Sequence, residues 1–150
     1  MIYYFAYGSN MDQHRMLARG VKFLKAEKAV LKKYKIVFNK EAQGKKGIGY
    51  TNIVSDNNNV VEGVLYTVVD GMLNLNECEG YPTHYDKKEI RVFKGKKFDR
   101  EVVALTYTAI KEKEGLKPEK RYLYHLIEGA KQHDLSQTYI KMLEETETID

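Results

Sequence analysis

Runs of β-branched and aromatic residues, separated by turn-forming residues, constrain the fold of this chain more than any other feature of its sequence. Side chains of these types favour strands. The stretches at 56–59 and 94–97 are rich in Asn or contain Gly, which accept the positive φ of tight turns. Strands joined in this way favour an antiparallel sheet or a small barrel. We predict strands at residues 2–5, 34–38, 60–69, 89–93 and 101–110.

Helical periods lie between and after these runs. The last two predicted helices are the longest, and Pro118 suits the first turn of one of them. That helix carries an apolar stripe at helical spacing, formed by Leu123, Leu126, Ile127 and Ala130. The pattern predicts an α+β protein with helices at residues 12–18, 72–79, 118–131 and 136–145.

The chain has the size and composition of one globular domain. It has 150 residues, of which 43% are hydrophobic and 31% are charged. Pro82 and Pro118 are its only prolines, and the sequence contains no linker, low-complexity tract or repeat. We therefore expect a single domain spanning residues 1–150.

Several functional classes are disfavoured by the same sequence. The apolar start, residues 1–6, has no basic leader and ends at Tyr7, so we expect neither a signal peptide nor a membrane span. The lone Cys78 excludes an intramolecular disulfide and fits a reducing, cytoplasmic setting. The net charge is +4, but the lysine pairs are scattered among acidic residues, which indicates a mixed surface and not a nucleic-acid site.

The first candidate for chemistry is the sequence Tyr7, Gly8, Ser9 and Asn10, which follows the first strand and precedes a helix. Backbone amides at such a junction bind carboxylates well, and Gly8 permits a ligand to approach the backbone. Ser9 and Asn10 add side-chain hydrogen bonds. The alternative is a tight turn in which Asn10 merely caps the helix.

The second candidate is a pair of glutamates, Glu77 and Glu79, at the end of a helix that Gly80 and Pro82 terminate. A helix C-terminus disfavours negative charge, so a carboxylate that is also buried there has a raised pKa. A raised pKa suits a group that transfers protons near neutral pH. The alternative is a solvated helix end.

Other kinds of site find little support. The four histidines lack zinc-ligand spacing, and the sequence has no nucleophile elbow, phosphate loop or dinucleotide fingerprint. We therefore expect no metal and no cofactor. Cys78 could act as a nucleophile only beside a base, and a small apolar role is the alternative.

Together, the opening residues 4–11 and the later residues 75–80 resemble the γ-glutamyl cyclotransferase family, whose wider superfamily includes γ-glutamylamine cyclotransferases and AIG2-like plant proteins. The order and spacing of the two motifs agree with the family. The resemblance continues through residues 47–53, 62–66, 104–107 and 122–131, and covers the chain from about Tyr3 to Leu143.

The resemblance implies a small, mostly antiparallel β-barrel with flanking helices and a pocket without metal. It implies that Glu79, not Glu77, is the catalytic residue. The substrate-binding residues that it implies are Tyr4, Phe5, Ala6, Tyr7, Gly8, Ser9, Asn10, Tyr85, Tyr107 and Tyr122. The segment 81–85 is shorter than in relatives, which leaves the choice of substrate open.

The implied reaction is an attack by the α-amine of a γ-glutamyl group on its own γ-amide carbonyl, which releases 5-oxoproline and an amine or amino acid. Because the nucleophile belongs to the substrate, the enzyme needs no nucleophile of its own. Glu79 would act as general base and then general acid. The partner is then a small γ-glutamyl molecule, and a homodimer stays open. The alternative is a non-catalytic binding module on the same fold.

Overall fold

In the computed structural model, which describes residues 1–69 and 71–150, five strands close into a barrel and four helices flank it. The strands are β1 (Ile2–Ala6), β2 (Phe23–Glu41), β3 (Gly49–Val68), β4 (Tyr85–Lys94) and β5 (Arg100–Ala109). The helices are α1 (Gln13–Ala18), α2 (Leu73–Glu79), α3 (Lys120–Gln132) and α4 (Gln137–Glu144). A 3₁₀ turn at Ser9–Met11 links β1 to α1. The predicted α+β class and the small barrel with flanking helices are confirmed.

The strand order around the barrel is β1, β3, β2, β4, β5. All neighbouring pairs are antiparallel except β1 and β5, which close the barrel in parallel, with Tyr4 opposite Leu105. The barrel is therefore mostly antiparallel, as predicted. Its closure brings the residue that follows β1, Tyr7, to Tyr107 near the end of β5.

Alternation along the strands divides the buried residues into two clusters. In β1, Tyr4 and Ala6 contribute to one cluster, and Phe5 contributes to the other. The first cluster also receives residues from all four described helices, and we call it the helix-side cluster. The second, here the strand cluster, consists of Phe5, Tyr7, Ala29, Leu31, Ile53, Val61, Leu65, Ile90, Val92 and Ala104.

The predicted turn at 56–59 is wrong, because these residues lie inside β3. The ladder pairs Tyr34 with Ser55 and Lys32 with Val60, so the four residues 56–59 form a bulge opposite the single residue Lys33. The Asp56 carboxylate accepts hydrogen bonds from the Asn58 amide at 3.0 Å and the Asn59 side chain at 2.9 Å. These bonds satisfy local polar groups, so the strand continues past a sequence typical of turns.

The true connection between β2 and β3 lies at residues 42–48, beyond the predicted ends of both strands. Shortly before it, a second irregularity separates the pair Val37 and Asn52 from the pair Lys40 and Tyr50. Two residues of β2 thus lie opposite one residue of β3, Thr51. A bulge of this kind redirects side chains near the end of a strand.

Helix α3 packs against the segment that follows β1. Its predicted stripe is confirmed: Leu126 and Ala130 are fully buried. It begins at Lys120, after Pro118 and not at it. A Cβ at Gly129 would lie 2.3 Å from the Met11 carbonyl carbon, so the glycine permits this close approach.

No helix in the described residues has the length and apolar character required to cross a membrane.

Candidate active site

A cavity of about 600 Å³ opens where the end of β1, the end of α2 and the strands β3 to β5 meet. Its wall brings together residues from distant parts of the sequence. Nine of the predicted site residues line it: Tyr4, Tyr7, Gly8, Ser9, Asn10, Glu79, Tyr85, Tyr107 and Tyr122. The cavity is therefore the candidate active site.

Glu79 is the last residue of α2, and it is held in place by two residues from the β1–α1 region. Asn10 Nδ2 donates a hydrogen bond to Glu79 Oε1 at 3.1 Å, and Arg19 Nη1 lies 3.6 Å from the same oxygen. Arg19 Nη1 also donates to Asn10 Oδ1 at 2.8 Å, which fixes the orientation of the Asn10 amide. The carboxylate is thus oriented by a small network that leaves Oε2 with no protein donor among the described residues.

The environment of Glu79 favours its neutral form. Burial raises the pKa of Glu79 above its ordinary value, against the opposing charges of Arg19 and Arg15 and the Asn10 hydrogen bond. Only 19% of its side-chain surface is exposed. Glu77 also borders the cavity, but it is exposed. Of the two neighbouring carboxylates, Glu79 has the environment of a proton-transfer group.

Tyrosine hydroxyls surround the carboxylate. Asn10 Nδ2 donates to the Tyr4 hydroxyl at 3.0 Å, and the Tyr107 hydroxyl donates to Asn76 Oδ1 at 2.6 Å. The Tyr7 hydroxyl donates to the Tyr107 carbonyl. Burial and then the Glu79 charge raise the pKa values of Tyr4, Tyr7 and Tyr107, so these phenols stay protonated at neutral pH.

The loop after β1 presents its backbone to the cavity. Among the described residues, no protein acceptor is hydrogen-bonded to the amides of Gly8, Ser9 or Asn10. The loop enters the 3₁₀ turn and not an α-helix, so these amides do not lie at a helix N-terminus as the sequence predicted. Asp12 caps α1 by accepting from the His14 amide at 3.0 Å. Asn10 is therefore not a helix cap, and its side chain is available to Glu79.

Gly8 is required by the close packing of the opposite wall. A Cβ at Gly8 would lie 2.3 Å from Thr51 Oγ1 and 3.3 Å from the Tyr122 hydroxyl. That hydroxyl lies 2.6 Å from Thr51 Oγ1 and accepts from the Thr51 amide at 3.1 Å. The Tyr85 hydroxyl donates to the Thr51 carbonyl at 2.8 Å. Thr51 thus anchors Tyr85 and Tyr122 beside the loop.

Phe5 and Ala6 lie outside the cavity wall. Phe5 is fully buried in the strand cluster, and Ala6 is buried in the helix-side cluster. The Phe5 carbonyl accepts a hydrogen bond from Thr106 Oγ1 at 2.8 Å. These two residues hold β1 in place, and the structure gives their side chains no access to a ligand.

Sequence reasoning missed several residues of the wall. Arg15 and Arg19 are four residues apart at α1, a spacing that places both on one helix face just after the loop. Thr51 lies in residues 47–53, which are part of the resemblance to the family. Its hydroxyl, a hydrogen-bonding group, could have indicated a role in the site. Lys40 and His125 also line the cavity, and no local pattern singled them out.

The described residues offer no set of metal ligands: no three His, Cys, Asp or Glu side chains are grouped to hold an ion. His125, which lines the cavity, has its Nδ1 2.8 Å from Asp12 Oδ2. The Asp12 carboxylate also accepts from Gln132 Nε2 at 3.1 Å, so this pair ties α3 to α1.

The chain matches a known protein family. The model of the family described as gamma-glutamyl cyclotransferase, AIG2-like, matches residues 4–128, a range that includes both Asn10 and Glu79. The chain belongs to this family. No curated protein sequence matches the chain.

Solved structures superpose closely on this chain. A gamma-glutamyl cyclotransferase has a TM-score of 0.86 at 27% identity, over 99% of this chain and 89% of that one. An uncharacterised protein from Homo sapiens has a TM-score of 0.85 at 27% identity, with the same coverage of both chains. YkqA from Bacillus subtilis has a TM-score of 0.83 at 28% identity, over 95% of this chain and 52% of its own.

Proposed function

We propose that this cyclotransferase-family protein converts a γ-glutamyl amide into 5-oxoproline and a free amine or amino acid. The observation that carries the proposal is the Glu79 carboxylate, which lies in the cavity with a raised pKa and a fixed orientation beside a loop of free backbone amides. The cavity volume of about 600 Å³ suits a ligand of dipeptide size. The single cysteine, Cys78, is in keeping with a cytoplasmic setting as part of the proposal.

Substrate binding is assigned to the loop and the tyrosines. The amides of Gly8, Ser9 and Asn10 donate to an oxygen anion of the substrate, either the glutamyl α-carboxylate or the oxyanion that develops on the γ-carbonyl. Tyr4, Tyr7 and Tyr107 form a wall that excludes water and keeps these hydrogen bonds strong. The substrate is thereby held with its α-amine close to its own γ-carbonyl carbon.

Glu79 then carries one proton through the reaction. The ionised carboxylate takes a proton from the α-ammonium, and the freed amine forms a bond to the γ-carbonyl carbon. The tetrahedral intermediate collapses, the original amide C–N bond breaks, and protonated Glu79 returns the proton to the leaving nitrogen. The new ring nitrogen then gives its extra proton to the released amine, so the lactam nitrogen is neutral and the amine leaves as an ammonium ion. Atoms and charge balance without an enzyme nucleophile, a metal or a redox partner.

The environment of Glu79 fits both halves of this cycle. Burial favours the protonated acid, while Arg19 and Asn10 stabilise the ionised base. The two forms are therefore closer in energy than for an exposed glutamate. We expect kcat/KM to fall on the acid side of its pH profile as Glu79 becomes protonated in the free enzyme.

Glu79→Gln tests the proposal directly. The amide keeps the shape and can still accept the Asn10 hydrogen bond, but it cannot transfer a proton. We expect 5-oxoproline formation to fall by about 10²- to 10⁴-fold, measured by mass spectrometry on a panel of γ-glutamyl amides. Glu77→Gln is the matched control, because Glu77 borders the same cavity but is exposed; it should retain most activity.

Two outcomes would contradict the assignment. If Glu77→Gln lowered 5-oxoproline formation as much as Glu79→Gln does, the catalytic role would have been assigned to the wrong carboxylate. If the wild-type protein binds γ-glutamyl amides but releases no 5-oxoproline from any of them, the fold serves as a binding module, which is the rival function.

A further inference from the structure

Lys40 is a buried cation on the wall of the cavity. Only 8% of its surface is exposed, although lysine is rarely buried without a charged partner. Its Nζ donates to the Glu41 carbonyl at 2.7 Å, and among the described residues no carboxylate oxygen lies within 4.0 Å of it. The Glu41 carboxylate instead binds Lys113 Nζ at 3.2 Å. Two of the three ammonium donors of Lys40 are thus left for a ligand or for water.

The position of Lys40 is fixed by the surrounding structure. It follows directly on the β2 bulge opposite Thr51. The bulge residue Asn39 accepts from Asn52 Nδ2 at 3.0 Å through its side chain, and from the Lys113 amide at 2.8 Å through its carbonyl. Lys40 Nζ also lies 6.0 Å from the centre of the Tyr85 ring. These contacts hold the side chain beside Tyr85, whose pKa is raised chiefly by burial and to a smaller extent by neighbouring groups that include Glu79.

The cavity as a whole carries more positive than negative groups. Five Lys or Arg residues line it, against three Glu. Two of those glutamates are already near cations, since Glu79 lies 3.6 Å from Arg19 and Glu119 lies 4.0 Å from Lys45. Arg15, like Lys40, has no carboxylate within 4.0 Å among the described residues, and its Nε is buried without a hydrogen-bond partner. Among the described residues, three of the five cations on the wall are thus unpaired: Lys40, Arg15 and the exposed Arg121.

We propose that the substrate has a second carboxylate, on the amine that leaves, and that Lys40 binds it as the specificity-determining residue. The inference rests on the proposed function and narrows it. The substrate class is then a γ-glutamyl amino acid, with one carboxylate on the glutamyl group and one on the released amino acid. A carboxylate beside Lys40 would compensate the cost of burying its charge.

A cationic leaving group is disfavoured by the same geometry. A γ-glutamyl polyamine would bring an ammonium group into a cavity with unpaired Lys40 and Arg15, where like charges repel more strongly than in water. A neutral alkylamine would leave Lys40 buried and unpaired. Lys40 therefore ranks the three classes of leaving group by charge, with the anion first and the cation last.

The test compares substrates that differ in one carboxylate. γ-Glutamyl-alanine and γ-glutamyl-ethylamide have the same scissile bond and differ by the carboxylate alone, while γ-glutamyl-putrescine adds a positive charge. We expect wild-type kcat/KM to favour the alanine substrate over the ethylamide by about 10- to 100-fold, the range for a hydrogen bond to a charged group. Lys40→Met should bring this ratio close to one.

Lys113→Met is the control, because it removes a positive charge from the same region outside the cavity. It should leave the ratio unchanged. Melting temperature separates binding from structure: Lys40→Met exchanges a buried charge for an apolar chain of similar length, so it should keep or raise Tm. A structural lysine would instead lower Tm without changing the ratio.

Each outcome supports or overturns the proposed role of Lys40 or the proposed function. Turnover of all three substrates without a carboxylate preference, or a preference that survives in Lys40→Met, overturns the role of Lys40 and leaves the cyclotransferase function standing. If no substrate gives 5-oxoproline, the proposed function fails. Calorimetric binding of the alanine and ethylamide compounds to wild type and Lys40→Met then still shows whether Lys40 recognises the carboxylate.

Discussion

The strand cluster and the helix-side cluster are both buried, but they differ in chemistry. The strand cluster is mostly aliphatic and contains one tyrosine, Tyr7, among its buried residues. The helix-side cluster contains five tyrosines, Tyr4, Tyr66, Tyr85, Tyr107 and Tyr139. Three of these five, Tyr4, Tyr85 and Tyr107, also border the cavity. Adjacent residues of one strand therefore serve different ends, since Tyr4 faces the site and Phe5 faces the apolar interior.

The two clusters show which side of this fold can accommodate a functional site. Because a tyrosine has a hydroxyl at the tip of its ring, its side chain can be well packed and still present a hydrogen-bonding group. The Tyr66 hydroxyl, for instance, donates to the Asn10 carbonyl at 2.7 Å and so holds the loop that orients Glu79. The strand cluster lacks such groups apart from Tyr7, and it contributes stability. Substitutions in the two clusters should separate stability from activity.

Phe5→Ala should have the largest effect on stability. Phe5 is fully buried in the strand cluster, and removal of such a ring costs about 3–5 kcal/mol of the free energy of unfolding. Urea denaturation measures the loss. Phe5→Leu, which keeps more of the volume, should fold and leave KM unchanged, because Phe5 does not line the cavity. A raised KM in Phe5→Leu at unchanged stability would mean that Phe5 contributes to substrate binding, contrary to the separation of the two clusters.

Gly8→Ala should affect both properties. The added Cβ would overlap Thr51 Oγ1, and overpacking of this kind costs about 1–3 kcal/mol. The shift would also displace Tyr122, so kcat/KM should fall with Tm. The double variant Gly8→Ala, Thr51→Ala removes the overlapping oxygen, and its Tm should lie above the value that adding the two single effects gives. Strictly additive losses would show that the clash is not the cause.

Glu79→Gln should have the smallest effect on stability, and the size of this effect depends on pH. The pKa of Glu79 is raised in the folded protein, so its protonated form is preferred there. The associated stability is complete below the unfolded pKa, about 4.3, and is lost as the pH rises through the folded pKa. Glutamine resembles the protonated form. The variant should therefore melt slightly above wild type at pH 8 and level with it near pH 4, as followed by circular dichroism.

A variant that melts below wild type at pH 8 would contradict this expectation. It would mean that the bond to Asn10 and the proximity of Arg19 stabilise the ionised carboxylate by more than its burial costs. Glu77→Gln is again the control, and its Tm should follow that of the wild type at both pH values.

Much of the fold could be predicted from the sequence, since strand and helix patterns are local. The strand at 101–110 and the stripe of α3 were found almost at their true positions, because alternation and helical spacing report which face of an element is apolar. The failure at 56–59 has a local cause as well. Asp56 forms hydrogen bonds with Asn58 and Asn59 that are typical of a turn. These residues nevertheless lie within β3, which pairs with β2 on both sides of them.

The candidate site was accessible from sequence only in part. Local spacing left both the loop and the glutamate pair open to ordinary structural explanations. The resemblance to the family selected Glu79 and the tyrosines. Phe5 and Ala6 came with the same motif, although β1 directs them away from the cavity.

By itself, then, the sequence determined most of the elements but not their full lengths, together with the family and the two motifs. Only the tertiary structure brought Asn10 within 3.1 Å of Glu79, 69 residues away, and placed Lys40 on the wall of the same cavity. The physical reason is that a local pattern specifies the conformation and the apolar face of one segment. Barrel closure, register and a bulge decide which faces meet, and these depend on pairing between segments far apart in the chain.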